Sequence, residues 1–122
     1  MTIKLFEAKD PSFVTDFFNN KMPAGLLKNK ARSSEIGHRY QFNISGPNGG
    51  KWFLNLEKAT LKSKEDLHSA ECVIEITDDD FLKLYTAPQA NGMQLFFSGK
   101  MKVTGNQMLL LKLQRVFEIA SM

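Results

Sequence analysis

The chain has a single cysteine, Cys72, among its 122 residues. One thiol excludes an intrachain disulfide and a four-cysteine zinc site, and it suits a reducing compartment. Tyrosine and tryptophan are scarce, two and one against ten phenylalanines and six methionines, so the interior has few polar handles and is greasy and adaptable. No apolar run approaches the length of a membrane span, and Met1 to Asp10 carries Lys4, Glu7, Lys9 and Asp10 where a signal peptide needs an apolar core. The expectation is a soluble, cytoplasmic protein. Excess charge is small as well, sixteen basic residues against thirteen acidic, which argues against a nucleic-acid partner. Lys21, Lys28, Lys30, Arg32 and Arg39 gather with only Glu35 opposing them nearby, but aromatics do not interleave with them as a base-stacking platform requires. They read as a solvated face, or as one that transiently meets anionic lipid headgroups at a membrane surface.

Chemical motifs are equally sparse. There is no phosphate-cradling glycine loop between a strand and a helix, and no Gly-x-Ser-x-Gly elbow. Asp78-Asp79-Asp80 lacks the alternate ligand spacing, central glycine and distal glutamate of a calcium loop. Three carboxylates, with Thr77 before them, suit instead the first turn of a helix, whose amide end is positive. His38 and His68 lie among polar residues, thirty positions apart and with no nucleophile beside them. Cys72 takes an inward position in a strand, where a thiol acts as a small hydrophobe. The expectation is therefore a protein that is not an enzyme and needs no metal or cofactor.

The pattern along the chain describes one domain, residues 1–122, with no repeat, low-complexity tract or linker. Asp10-Pro11 reads as a cap and first helical position, and Phe13, Val14, Phe17 and Phe18 share one face. This predicts a helix from Pro11 to about Asn20, ended by Met22-Pro23-Ala24-Gly25, with Lys28 to Gly37 as a polar stretch. Tyr40, Phe42 and Ile44 alternate as in a strand, Gly46 to Gly50 turns the chain, and Trp52, Leu54 and Leu56 alternate on the partner strand. A short strand comes next, near Ala59 to Lys62, then another with Cys72, Ile74 and Ile76 on one face. Strands joined by short turns predict an antiparallel meander, and helices must cover its apolar face. The fold class is α+β, with about five mostly antiparallel strands covered on one face.

The period changes within Phe96-Phe97-Ser98-Gly99-Lys100-Met101-Lys102-Val103-Thr104-Gly105-Asn106 and the adjoining Gln107-Met108-Leu109-Leu110-Leu111-Lys112-Leu113-Gln114. Lys100 to Thr104 alternates in steps of two, Gly105 breaks the strand, Asn106 caps a helix, and the spacing becomes helical from there on. Leu109, Leu113, Val116, Phe117 and Ala120 form one stripe, whereas Met108 and Leu111 project towards the polar side. The first turn is thus apolar nearly all round, buried on two sides or bordering an opening. Together with Ala70 to Ile76 and Asp78 to Leu82, this segment closely resembles the sterol carrier protein 2 family over residues 40–115.

That resemblance implies a hydrophobic tunnel between sheet and helices that carries a sterol, fatty acid, fatty acyl-CoA or phospholipid without making or breaking bonds. The residues then expected to bind lipid are Trp52, Leu54, Leu56, Ile74, Ile76, Phe81, Leu84, Tyr85, Phe96, Phe97, Met101, Val103, Met108, Leu109, Leu113 and Phe117. Lys100 and Lys102 share the polar face of their strand and read as a solvated face, or as headgroup contacts for a carboxylate or CoA phosphate. Family members often carry small residues where this chain has Met108 and Leu110, so a flexible acyl chain suits it better than a rigid sterol. The bulk at Met108 and Leu110 also allows a filled tunnel and an interaction module, as a monomer or a weak dimer through Met108 and Leu111. Family domains often occur fused to lipid-metabolising enzymes, which implies a third role, presenting lipid to an enzyme partner. Eukaryotic members commonly end in a peroxisomal Ser-Lys-Leu-like tripeptide, which Ala120-Ser121-Met122 does not match.

Overall fold

Alternating apolar residues build the middle of the sheet. In the computed structural model, which describes residues 5–63 and 69–122, Tyr40, Phe42 and Ile44 lie buried along β1 (Arg39–Ser45). The Gly46–Gly50 turn returns the chain as β2 (Gly50–Asn55), antiparallel to β1 with Phe42 opposite Trp52. β3 (Thr60–Ser63) adds to the far edge of β2, again antiparallel. β4 (Cys72–Thr77) departs from the expected meander: it lies beside β1 and runs parallel to it. The physical reason is burial. Beside β1, Cys72, Ile74 and Ile76 stand level with Tyr40, Phe42 and Ile44 and extend one apolar face, whereas β3 has no fully buried residue to offer. β5 (Lys102–Gly105) completes the order β3-β2-β1-β4-β5, antiparallel to β4. Three of the four pairings are antiparallel.

Helices cover the face bearing Phe42, Trp52 and Ile74. Asp10 accepts a 3.0 Å bond from the Ser12 amide and starts α1 (Ser12–Asp16). Pro23 does not end the helical path as its sequence suggests. A wide π-type turn (Phe17–Lys21) leads directly into α2 (Met22–Lys28), where Pro23 stands in the first turn and removes no needed hydrogen bond. The polar stretch beyond it is also helical, α3 (Lys30–Ile36). It is held by a face of two residues: Ile36 is buried, and buried Ser33 donates a 2.7 Å bond to the Leu56 carbonyl.

After β4, Thr77 accepts from the Asp80 amide at 3.1 Å and caps α4 (Asp78–Thr86). Asp78 turns inward rather than to solvent, and accepts a 3.1 Å bond from the Asn48 amide that fastens the β1–β2 turn to this helix. α5 (Pro88–Phe97) comes next. Gly105 has a φ of +89°, and a side chain there would meet the Glu71 carbonyl at 2.3 Å, so only glycine ends β5 in this way. Asn106 then caps as expected, accepting from Met108 N at 3.1 Å, but the helix begins as a 3₁₀ segment (Gln107–Lys112) before α6 (Leu113–Ser121). α6 crosses α2 at Gly25, where an added Cβ would stand 2.3 Å from the Ile119 carbonyl oxygen.

Candidate functional site

The expected lipid-binding residues divide between a packed interior and a surface. Trp52, Leu54, Leu56, Ile74, Ile76, Phe81, Leu84, Tyr85, Met101, Val103, Leu109, Leu113 and Phe117 are all buried in one core. Phe96 is partly buried, whereas Phe97 and Met108 are exposed. The space between sheet and helices, where the resemblance implies a tunnel, is occupied by aromatic rings. Phe18 stacks on Trp52 with centroids 4.6 Å apart and planes at 12°. Phe17 sits 5.1 Å from Tyr85, 5.8 Å from Phe117 and 6.1 Å from Phe81. These two phenylalanines come from the first helical face, whose apolar spacing is plain in the sequence. Nothing local shows that the π-type turn aims them into the centre.

An apolar groove opens instead at one edge, between α5 and the 3₁₀ segment. It has a volume of about 430 Å³ and is lined by Pro88, Gln89, Gly92, Met93, Leu110, Leu111 and Leu113. Its one polar side chain is the amide of Gln89. Gly92 supplies part of the floor, where an added Cβ would stand 3.3 Å from Leu84 Cδ1. The opposite wall is set by Tyr40, whose hydroxyl donates a 2.8 Å buried bond to the Leu109 carbonyl. With Leu109 held inward, Met108 and Leu111 turn outward. Of the expected residues only Leu113 lies in this groove. Sequence reasoning missed Pro88, Gln89, Gly92 and Met93, but it pointed here through Leu110, whose bulk it took to reshape the tunnel, and through Leu111, off the stripe of its helix.

Titratable groups stand apart from the groove. Burial pushes the Cys72 thiol up to about 12 and raises Tyr40 well above its ordinary value, so both stay protonated. For Glu71, burial acts upward, but bonds from His38 and the Arg39 amide outweigh it and hold its carboxyl below the usual range. His38 is thus a partly buried partner of a carboxylate rather than a free surface group, and His68 lies outside the described residues. Among the described residues no three His, Cys, Asp or Glu side chains converge to hold a metal. The basic cluster read from sequence is partly neutralised: Lys21 pairs with Asp16 at 2.8 Å, and Arg39 with Glu57 and Glu71. Lys100 and Lys102 are exposed, and Lys102 stands opposite Glu75 on the neighbouring strand. No helix among the described residues is long and apolar enough to cross a membrane.

The sequence pattern of the SCP-2 sterol transfer family matches residues 20–118. The chain belongs to that family. Sterol carrier protein 2 of Homo sapiens is 36% identical over 87 residues, 67% of this chain and 16% of that protein. Hydroxysteroid dehydrogenase-like protein 2 of Bos taurus is 37% identical over 79 residues, 63% of this chain and 19% of that protein. The chain therefore spans less than a fifth of the length of these relatives. In three dimensions it superposes on the apo sterol carrier protein 2 of Yarrowia lipolytica with a TM-score of 0.70, at 21% identity, over 99% of this chain and 98% of that one. It is similar also to the palmitate complex of Aedes aegypti sterol carrier protein 2, with a TM-score of 0.63, 21% identity, and 92% and 98% of the two chains covered. Identities this low support the common fold.

Proposed function

We propose that this SCP-2 domain is a non-enzymatic carrier that takes the hydrocarbon of one lipid into the groove between α5 and the 3₁₀ segment. The observation that carries the reading is the groove itself: about 430 Å³, apolar except for Gln89, and within the range of about 300–1,000 Å³ usual for small-molecule sites. Each methylene removed from water contributes about 0.8 kcal/mol, so about ten contribute roughly 8 kcal/mol. Association and ordering offset part of this, which leaves affinity near the micromolar range. A fatty acid or fatty acyl-CoA fits better than a sterol, because a flexible chain can thread a narrow groove past Leu110 and Leu111. The palmitate held by the mosquito protein supports this class of ligand. Leu113 belongs to both groove and core, so a longer chain enters the interior by displacing it. Lys100, on the exposed turn after α5, meets a carboxylate or CoA phosphate more readily than Lys102, which faces Glu75.

Native mass spectrometry of protein purified without detergent, with lipid extraction of the same sample, tests this. One fatty acid, acyl-CoA or phospholipid per chain is the expected result. A bare-chain mass with no thermal shift on adding palmitoyl-CoA overturns it, and favours a domain whose ring-filled core serves protein interaction. A second reading is favoured by the relatives named for a hydroxysteroid dehydrogenase, of which this chain matches under a fifth: the domain presents its lipid to a lipid-metabolising enzyme. Capture of such an enzyme in a pull-down supports that role, and lipid transfer between vesicles with no partner present speaks against it.

A further inference from the structure

The sulfur atoms of the described residues are sorted by exposure. Met22, Cys72 and Met101 are buried in the core, and Cys72 stays a thiol there. Met108 is 67% exposed, Met93 51% and Met122 37%. Of these only Met93 stands in the groove wall, among Pro88, Leu110, Leu111 and Leu113, whose side chains are inert to mild oxidants. The one polar side chain of the groove is its neighbour. Gln89 and Met93 are four residues apart on α5, which sets them one turn apart on the same wall, with Cβ atoms about 5–6 Å apart. The Gln89 amide makes no hydrogen bond among the described residues, so its N–H donors are free for a ligand. A nucleophilic thioether and an uncommitted donor therefore share one apolar wall.

We infer that the groove reduces lipid hydroperoxides: the Met93 thioether takes an oxygen atom from an unsaturated fatty acid hydroperoxide held there, and Gln89 stabilises the oxygen left behind. This rests on the carrier reading and adds a chemistry to the same site. An unsaturated chain gains its hydroperoxide at a carbon within the hydrocarbon, so the peroxide enters the groove with the chain instead of staying at the carboxyl end. Met93 Sδ donates its lone pair to the outer peroxide oxygen. The S–O bond forms as the O–O bond breaks, and the pair of the broken bond leaves with the inner oxygen. The proton of the outer oxygen passes to the inner one, which departs as an alcohol, while a Gln89 N–H bonds it as its negative charge develops. Two electrons pass from sulfide to peroxide, and the sulfide becomes a sulfoxide. Met93 is consumed, so each chain makes a single transfer with no turnover. Holding sulfur and peroxide together replaces a slow bimolecular encounter with a step inside the complex. Met108, though more exposed, lies outside the groove lining and has no such advantage.

The test mixes the full chain with a saturating amount of linoleic acid hydroperoxide and follows each methionine by peptide mass spectrometry. Met93 sulfoxide should form at least about tenfold faster than Met108 sulfoxide, with one hydroxy fatty acid released per sulfoxide, and excess palmitate should suppress the difference. Hydrogen peroxide, which needs no groove, should follow exposure and oxidise Met108 ahead of Met93. Met93→Leu, of similar volume at a half-exposed position, should abolish the fast release of hydroxy acid with a thermal midpoint near that of the parent. Gln89→Leu should slow Met93 oxidation about threefold or more, read at saturating hydroperoxide so that the rate reports the transfer and not the affinity. An unchanged rate in Gln89→Leu overturns the role given to Gln89. Equal rates at Met93 and Met108 with the lipid hydroperoxide, or the same preference for Met93 with hydrogen peroxide, overturn the inference. Palmitate uptake by the same sample, read by native mass spectrometry, then leaves the carrier standing, whereas absence of uptake removes the carrier and the inference together.

Discussion

The centre of the molecule and the groove at its edge are both apolar, but aromatic rings build the one and mostly aliphatic side chains the other. In the centre Phe17, Phe18, Trp52, Phe81, Tyr85 and Phe117 turn rings against rings, at centroid distances of 4.6 to 6.3 Å. At the edge, Met93, Leu110 and Leu111 face an open space of about 430 Å³. Rings from β2, α4 and α6 meet Phe17 and Phe18 in the centre, whereas two helical segments meeting over a glycine and aliphatic side chains leave a groove. Apolar composition thus measures how much surface seeks cover, and the backbone decides whether the protein itself provides it.

The sharpest break between the two regions comes from deleting a central ring. Phe17→Ala should cost about 3–5 kcal/mol of unfolding free energy, measured in urea, because it leaves a cavity that surrounding rings cannot fill. A groove residue should separate binding from stability. Leu110→Gln, partly exposed, should weaken fatty acid binding about tenfold, or ~1.4 kcal/mol, in a fluorescence titration while moving the urea midpoint little. An equal loss of stability in both variants would erase the distinction between filled centre and open edge.

Smaller effects test the framework beneath both. Thr77→Ala removes the α4 cap and should cost about 1 kcal/mol, read from thermal unfolding. Glu71 supplies a pH signature. Its folded carboxyl is held below the ordinary value of 4.5, so its stabilisation is complete above that pH and is lost as pH falls through the lower folded value. Relative to Glu71→Gln, the parent should therefore lose stability on acidification below pH 4.5 and show no such trend from neutral pH down to that point.

Much of this architecture is legible in local patterns. Tyr40-Phe42-Ile44 and Cys72-Ile74-Ile76 show their strands by alternation, Gly105-Asn106 marks where strand becomes helix, and Thr77 before three aspartates marks a cap. The match from Phe96 to Gln114 points to the family. α3 escapes such a reading because Lys30 to Ile36 buries only Ser33 and Ile36, too few residues to show a period. The site is harder to read than the elements. Leu113 is legible as a lining residue, but Pro88, Gly92 and Met93 show no ligand-binding pattern along the chain, and Phe97 and Met108 carry the apolar character of lining residues while facing outward.

Short-range chemistry accounts for the readable part: φ preferences, capping and two- or 3.6-residue periods act over a few residues and leave their mark in order along the chain. Three features depended on distant contacts. β4 chose the edge of β1 because only there does its apolar face continue another. Asp78 turned inward because the Asn48 amide, thirty residues earlier, needed an acceptor. The central space filled because a π-type turn near the start of the chain aims Phe17 and Phe18 at rings from β2, α4 and α6. Each is a choice among packings of nearly equal local cost, and the burial gained over long range decided it.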